Sequence, residues 1–193
     1  IHMAIEGKYE GHIVISDIPK PHAKEAIVSL KKSGVKKTVM LTGDEKNSAE
    51  AVAAEVGIEK VYAKLLPQEK LETLQKLRTE YGSVMFVGDG INDAPVLAGA
   101  DVGAAMGSGA DAAIEAADAV FMTSSVESIP EAIQIAKATN RIAIQNVVFA
   151  LAVKIFVMIL GLTGHANMWM AVFADTGVAM ICVMNSIRIL YKK

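Results

Sequence analysis

The 193-residue chain lacks several residue types that would make some functions easy to read, and each shortage excludes something. Its single cysteine, Cys182, rules out a disulfide within the chain and fits a reducing compartment. Aromatic residues are only 5% of the sequence, and the formal net charge is −2. With no basic excess, there is no electrostatic reason to expect a nucleic-acid partner. No secretory signal pattern opens the sequence, and the leading "IHM" can be a cloning remnant, so it carries no weight in the fold reading. What is present is unevenly spread. The apolar fraction is 52% and the mean hydropathy +0.37, high for a purely soluble protein. Charged residues crowd before Arg141, whereas the chain after it is mostly Ala, Val, Ile, Leu, Met and Phe.

Between about residues 8 and 122 strand-like and helix-like units alternate. "GHIVIS" (11–16) reads as a strand, followed by a helix over 21–32 that stops at Gly34. "KTVML" (37–41) is the next strand, and the helix over 47–56 is again stopped by a glycine, Gly57. "KVYA" (60–63) is a short strand, and Pro67 suits the first turn of the helix after it. "SVMFV" (83–87) is a near-continuous apolar run, which predicts a central strand covered on both faces. "DVGAAM" (101–106) and "AVFM" (119–122) are two further strands flanking an alanine-rich helix. Strands joined by helices imply an α/β fold with a parallel sheet. Ligands bind such sheets beyond the carboxyl ends of the strands, where "LTGD" (41–44) and "VGDGIND" (87–93) both fall.

A second region begins with the helical pattern "SIPEAIQIAKATNRIAIQN" (128–146) and runs on into "VVFALAVKIFVMILGLTG" (147–164). After "HAN" comes a second apolar stretch, "MWMAVFADTGVAMICVMNSIRIL" (168–190). A bilayer needs roughly 20 apolar residues per helix. Both stretches meet that length, each interrupted within its apolar run by one charge, Lys154 and Asp175. They read as a transmembrane helical hairpin; the competing reading is a buried helix pair in a soluble dimer. Lys137 and Arg141 flank the first span, and Arg188, Lys192 and Lys193 flank the end of the second, while the turn carries no lysine or arginine. The positive-inside tendency then puts both ends, and the α/β domain, in the cytoplasm. The expected division is an α/β domain over 1–125, a connecting helix over 126–146 and two spanning helices over 147–193.

Three motifs converge on the carboxyl edge. Thr42 and Gly43 of "TGD" offer a hydroxyl and a backbone N–H to phosphate oxygens, with Asp44 beside them. Lys70 of "LLPQEK" offers a charge that can neutralise a phosphoryl group. Asp89 and Asp93 of "GDGIND" can hold a hard cation such as Mg2+, and Asn92 can hydrogen-bond phosphate. Each motif has a plainer reading alone: a turn with a helix cap, a solvated helix lysine, a piece of a calcium loop without its remaining acids. Their order across successive strands favours a phosphate site.

The stretch from about residue 11 to 193 resembles the C-terminal part of a P-type ATPase of the heavy-metal subfamily that exports zinc, cadmium and lead. The resemblance is carried by "TGD", "LLPQEK" and "VGDGINDAPVLAGADVGAAMGSGADAAIEAAD" (87–118). It implies a haloacid-dehalogenase-like phosphorylation domain, ATP-driven export through an aspartyl-phosphate, and a multi-pass protein of the cell membrane. By the same resemblance Asp89 is the Mg2+ ligand and Asp93 supports it, while Thr42, Gly43, Lys70 and Asn92 surround the phosphoryl group. "ADTG" (174–177) is similar to the last spanning helix of zinc and cadmium exporters, where the aspartate, here Asp175, binds the transported metal. Lys154 matches an internal counter-ion that pairs with it once the metal leaves. At similar depth from a turn between Gly164 and His165, the two charges can meet without any appeal to family.

The sequence also departs from that pattern. The family's nucleophile, in an Asp-Lys-Thr-Gly-Thr motif, has no counterpart here, and neither does its Cys-Pro-Cys metal motif. The expectation is therefore a fragment whose partners are the remaining domains of a parent ATPase, which would bind most of the ATP, together with the bilayer and the metal. The alternative is a standalone, non-enzymatic, membrane-anchored module that associates with a full-length exporter. Lys20 of "SDIPKPHAKEAI" stands where the family usually has arginine, losing the planar fork, while Asp17 matches the acidic position. Cys182 lies about 10 Å, two turns, from Asp175 and reads as a small buried residue, and His165 as a solvated loop residue.

Overall fold

The computed structural model describes residues 2–12, 18–107, 109–123 and 125–191. The chain divides into two compact units, Ile1–Pro130 and Glu131–Lys193.

The first unit opens with an antiparallel hairpin of β1 (His2–Ile5) and β2 (Lys8–His12), so part of the leading "IHM" pairs as strand. Glu6 and Gly7 form its two-residue turn, both at positive φ (50° and 78°), which matches the right-handed twist of the flanking strands. Of the expected strand over 11–16, Gly11 and His12 lie in β2, and 13–16 fall outside the described residues.

The α/β part then follows in the expected order: α1 (Ala23–Lys32), β3 (Val39–Leu41), α2 (Lys46–Val56), β4 (Lys60–Tyr62) and α3 (Pro67–Tyr81). After it come β5 (Met85–Gly88), a 3₁₀ turn at Ile91–Asp93, α4 (Ala94–Gly99), β6 (Val102–Met106), α5 (Asp111–Glu115) and β7 (Ala119–Phe121). Gly57 ends α2 in the left-handed region at φ 84°, where a Cβ would be strained. Pro67 starts α3, and the Glu69 carboxylate accepts a 2.8 Å hydrogen bond from the Leu66 N–H, closing the helix entrance.

The strands of the α/β part are parallel and, among the described residues, form two sheets. β3 pairs with β4, and β5–β6–β7 make a separate three-stranded sheet. β6 is its central strand and is buried from Gly103 to Met106. β5, expected to be central and covered on both faces, is half-buried along its length, and among the described residues it pairs with β6 alone. Leu74 and Leu77 of α3, Val96 and Leu97 of α4, and Ala104 and Ala105 of β6 supply much of the buried core. Burying each leucine contributes about 1.5–3 kcal/mol. Gly103 lets α4 approach, since a Cβ there would sit 2.4 Å from the Leu97 carbonyl oxygen.

The second unit is a helical hairpin. α6 (Ser128–Leu162) is one continuous helix. A turn with Gly164 at φ 74° leads to α7 (Met168–Val172), a π-turn (Phe173–Gly177), α8 (Val178–Ile187) and a 3₁₀ end (Arg188–Tyr191). The Asn167 side chain caps α7 by accepting from the Met170 N–H at 2.9 Å. Ser128–Leu162 and Met168–Tyr191 are each long and apolar enough to cross a membrane. Lys192 and Lys193, used for the expected orientation, lie outside the described residues.

Candidate functional site

At the carboxyl end of β3 the chain turns through Thr42–Gly43–Asp44. The Thr42 hydroxyl donates to Asp44 Oδ2 at 2.6 Å and accepts from the Asp44 N–H at 3.1 Å, a local turn that holds both side chains together. The Thr42 N–H donates to the Tyr62 carbonyl and the Leu65 N–H to the Thr42 carbonyl, both at 3.0 Å, so this turn is anchored to the end of β4. Gly43 is exposed, with ordinary room for a side chain.

At the carboxyl end of β5 the loop Asp89–Gly90 runs into the 3₁₀ turn. Lys70, in the first turns of α3, reaches across to Asp93, Nζ to Oδ1 at 2.8 Å. This contact joins residues 23 apart in sequence and ties the start of α3 to the turn after β5. The Gly90 N–H points at Asp93 Oδ2 over a long 3.4 Å. Gly88 leaves space for Asp93, whose Cβ and Oδ2 lie 3.0 and 3.1 Å from where a Gly88 Cβ would be. Asp89 and Asn92 are exposed.

Two residues that hold Asp89 were not singled out from the sequence. The Ala110 N–H donates to the Asp89 carbonyl at 2.9 Å, and a Cβ on Gly109 would lie 2.7 Å from that same oxygen. The signal was available in the "GSGA" spacing, because glycine beside a strand end marks close backbone approach. The structure thus brings Lys70 and Asp93 together, and Thr42 and Asp44 together. Among the described residues no three His, Cys, Asp or Glu side chains cluster to hold a metal. Asp17 lies outside the described residues.

In the hairpin, Lys154 Nζ lies 3.0 Å from Asp175 Oδ1, as the depth argument expected. Asp175 sits inside the π-turn, whose extra residue widens the helix locally; such turns are frequent at functional sites. Gly177 closes that turn and carries the Phe173 ring against it, 2.6 Å from where a Cβ would stand. The two charged side chains are 62% and 73% exposed on the hairpin's own surface. Cys182 donates its thiol weakly to the Asn146 carbonyl at 3.7 Å, consistent with a packing role. His165 is exposed and pairs only locally, Nδ1 to the Thr163 hydroxyl at 3.3 Å.

A family model for haloacid dehalogenase-like hydrolases matches residues 2–101, just over half of the chain. The chain belongs to that family. Over its whole length it is similar to heavy-metal-transporting P-type ATPases. It is 50% identical to the cadmium, zinc and cobalt-transporting ATPase of Bacillus subtilis, over 100% of this chain and 28% of that protein. It is 49% identical to the zinc-transporting ATPase of Synechocystis sp., over 98% of this chain and 27% of that protein. The crystal structure of a zinc-transporting PIB-type ATPase in the E2.Pi state superposes with a TM-score of 0.89 at 38% identity, covering 96% of this chain and 30% of that one. The chain therefore spans under a third of the relatives it matches.

Proposed function

We propose that this chain forms the Mg2+- and phosphate-binding half of the phosphorylation site of a zinc- and cadmium-exporting P-type ATPase, together with two of its spanning helices. The observation that supports this best is the split sheet. Among the described residues β3 and β5 each keep an edge without a strand partner, their carboxyl ends carry Thr42–Asp44 and Asp89–Asp93, and Lys70 of α3 pairs with Asp93. A further parallel strand beside them would bring its own last residue among these groups, which is where an attacking aspartate would have to arrive.

In this reading Thr42 and the Gly43 N–H take phosphate oxygens, and Lys70 neutralises the phosphoryl charge. Asp89, exposed and anchored through its backbone, is the direct donor for Mg2+, and Asn92 hydrogen-bonds the phosphate. Asp93 shares Lys70 and fixes its position. The donor set fits a hard cation, all carboxylate oxygen, and two acids leave room for water and phosphate in an octahedron. When bound, Mg2+ would supply charge neutralisation for phosphoryl transfer. Asp175 would ligate the transported zinc or cadmium, and Lys154 would pair with it in the metal-free state. Both charges are exposed on the hairpin, and intramembrane charges face bundle interiors, so further helices are expected against that side. The protein would be a multi-pass membrane protein with the α/β unit in the cytoplasm and ATP held chiefly by other domains.

The test is a transplant. This chain replaces the matching segment of the Bacillus subtilis ATPase, and zinc-stimulated ATP hydrolysis and cadmium resistance are measured. Activity is expected, abolished by Asp175→Ala and by Asp89→Asn, while the chain alone takes no acid-stable label from ATP. A transplant that pumps normally with Asp175→Ala would overturn the transport assignment.

A further inference from the structure

About 12 Å along α6 from Lys154, eight residues away, lies a polar cluster inside an otherwise apolar hairpin. At its centre is Asn146. Its amide nitrogen donates to the Cys182 carbonyl at 3.1 Å and to the Ser186 hydroxyl at 2.9 Å, and its carbonyl oxygen accepts from the Asn185 amide at 2.8 Å. Both amide hydrogens and the oxygen of one side chain are therefore spent on the facing helix. The partners are themselves held: Ser186 donates to the Cys182 carbonyl at 2.9 Å, and Arg188 donates to Asn185 Oδ1 at 2.8 Å. Two clasps thus join the same helices, an amide clasp at Asn146 and an ionic clasp at Lys154–Asp175.

They differ in what a cation does to them. A cation bound to Asp175 competes directly with Lys154, so the ionic clasp must open whenever the carboxylate takes a metal. The amide clasp uses neutral groups already saturated by one another, and no hard or borderline cation gains by breaking it. Sliding α8 by one residue against α6 would leave two donors and an acceptor of the Asn146 side chain without their partners on the facing helix, at a cost for each.

We propose that Asn146 is the standing clasp of the hairpin, a positioning residue that keeps α6 and α8 in register while the Lys154–Asp175 pair opens, so that the two charges meet again afterwards. This rests on the reading of Asp175 as a metal ligand only for why the ion pair opens; the clasp itself is tested without metal.

The full chain is placed in lipid nanodiscs with spin labels at Val148→Cys and Met184→Cys, both exposed on the hairpin's surface, and Cys182→Ala to remove the native thiol. Double electron–electron resonance then reads the separation. With the ionic clasp removed (Lys154→Met with Asp175→Asn) the distribution should stay as narrow as in the unaltered pair. Adding Asn146→Leu should broaden it or shift it, by up to about 5 Å, one helical turn. Asn146→Asp, which keeps the acceptor but loses both donors, should behave like the leucine variant. A distribution that stays narrow with both clasps gone overturns the proposal, and so does one that broadens when only the ionic clasp is removed. Zinc titration of the chain against Asp175→Ala tests the metal reading separately, so the two can fail independently.

Discussion

Lys70 and Asp93 meet at 2.8 Å with side chains only 15% and 14% exposed, a contact that ties the start of α3 to the turn after β5. A charge-assisted hydrogen bond so far out of water is costly to halve, because the remaining group keeps its desolvation and loses its partner. Lys70→Met should therefore lower the unfolding free energy by about 1–3 kcal/mol. Lys76→Met, on the exposed face of the same helix, should change it by no more than about 0.5 kcal/mol. Denaturant midpoints of the α/β transition in detergent distinguish the two. Equal effects would mean the contact contributes nothing beyond a surface pair.

Gly109 offers a sharper test of the loop around Asp89. A Cβ there would meet the Asp89 and Met106 carbonyl oxygens at 2.7 and 2.9 Å, and backbone cannot rotate aside as a side chain can. Gly109→Ala should cost about 1–3 kcal/mol, and it should displace Asp89 itself. At Gly43 the nearest atom would be 3.5 Å away, so Gly43→Ala should alter stability by less than about 0.5 kcal/mol. Amide chemical shifts of Asp89 and Ala110 should move in the first variant and stay fixed in the second.

The contrast between these sites explains how much could be read in advance. Alternating strands and helices were legible because Gly57 and Pro67 mark helix ends locally, within a few residues. Lys154 and Asp175 were legible too, since a hairpin turn maps sequence distance onto depth. The Lys70–Asp93 contact has no such rule, because it depends on how the start of α3 packs beside the turn after β5. An apolar run such as "SVMFV" reports what the faces of a strand want, not how many neighbours it has, which is why β5 was expected to be central. Asn146 escaped notice because a lone amide in a helix carries no period and acquires meaning only opposite Cys182, Asn185 and Ser186.

Glu59 should make stability depend on pH. It accepts from Lys37 at 2.6 Å and faces Lys31 at 3.1 Å, and the Lys37 hydrogen bond, then that of Lys31, holds its carboxyl below the ordinary carboxylate range. A lowered folded-state value stabilises the fold above the unfolded carboxylate value and is lost as pH falls through the folded one. The native chain should thus exceed Glu59→Gln in stability at neutral pH, and the gap should close below about pH 4, the carboxylate range. Lys37 is raised for the same reason, its hydrogen bond to Glu59, so its contribution should fade only as pH climbs past the usual lysine range. A gap that persists unchanged at pH 2 would show that Glu59 acts through packing rather than charge.

The membrane pair can be tested without any transport. Lys154 and Asp175 lie 3.0 Å apart on two apolar helices, and either charge alone costs about 2.5–3.5 kcal/mol at a bilayer centre on insertion scales. Lys154→Met removes one charge but strands the other, and Asp175→Asn does the converse. Each single variant should destabilise the hairpin in bicelles by an amount set by the orphaned partner, whereas the double variant leaves neither charge behind. The double should therefore cost less than the sum of the singles, with a coupling of about 1–3 kcal/mol. Steric-trap measurements on the four chains give that number directly. Strictly additive losses would mean that in the bilayer the two charges are solvated by other groups and do not hold one another.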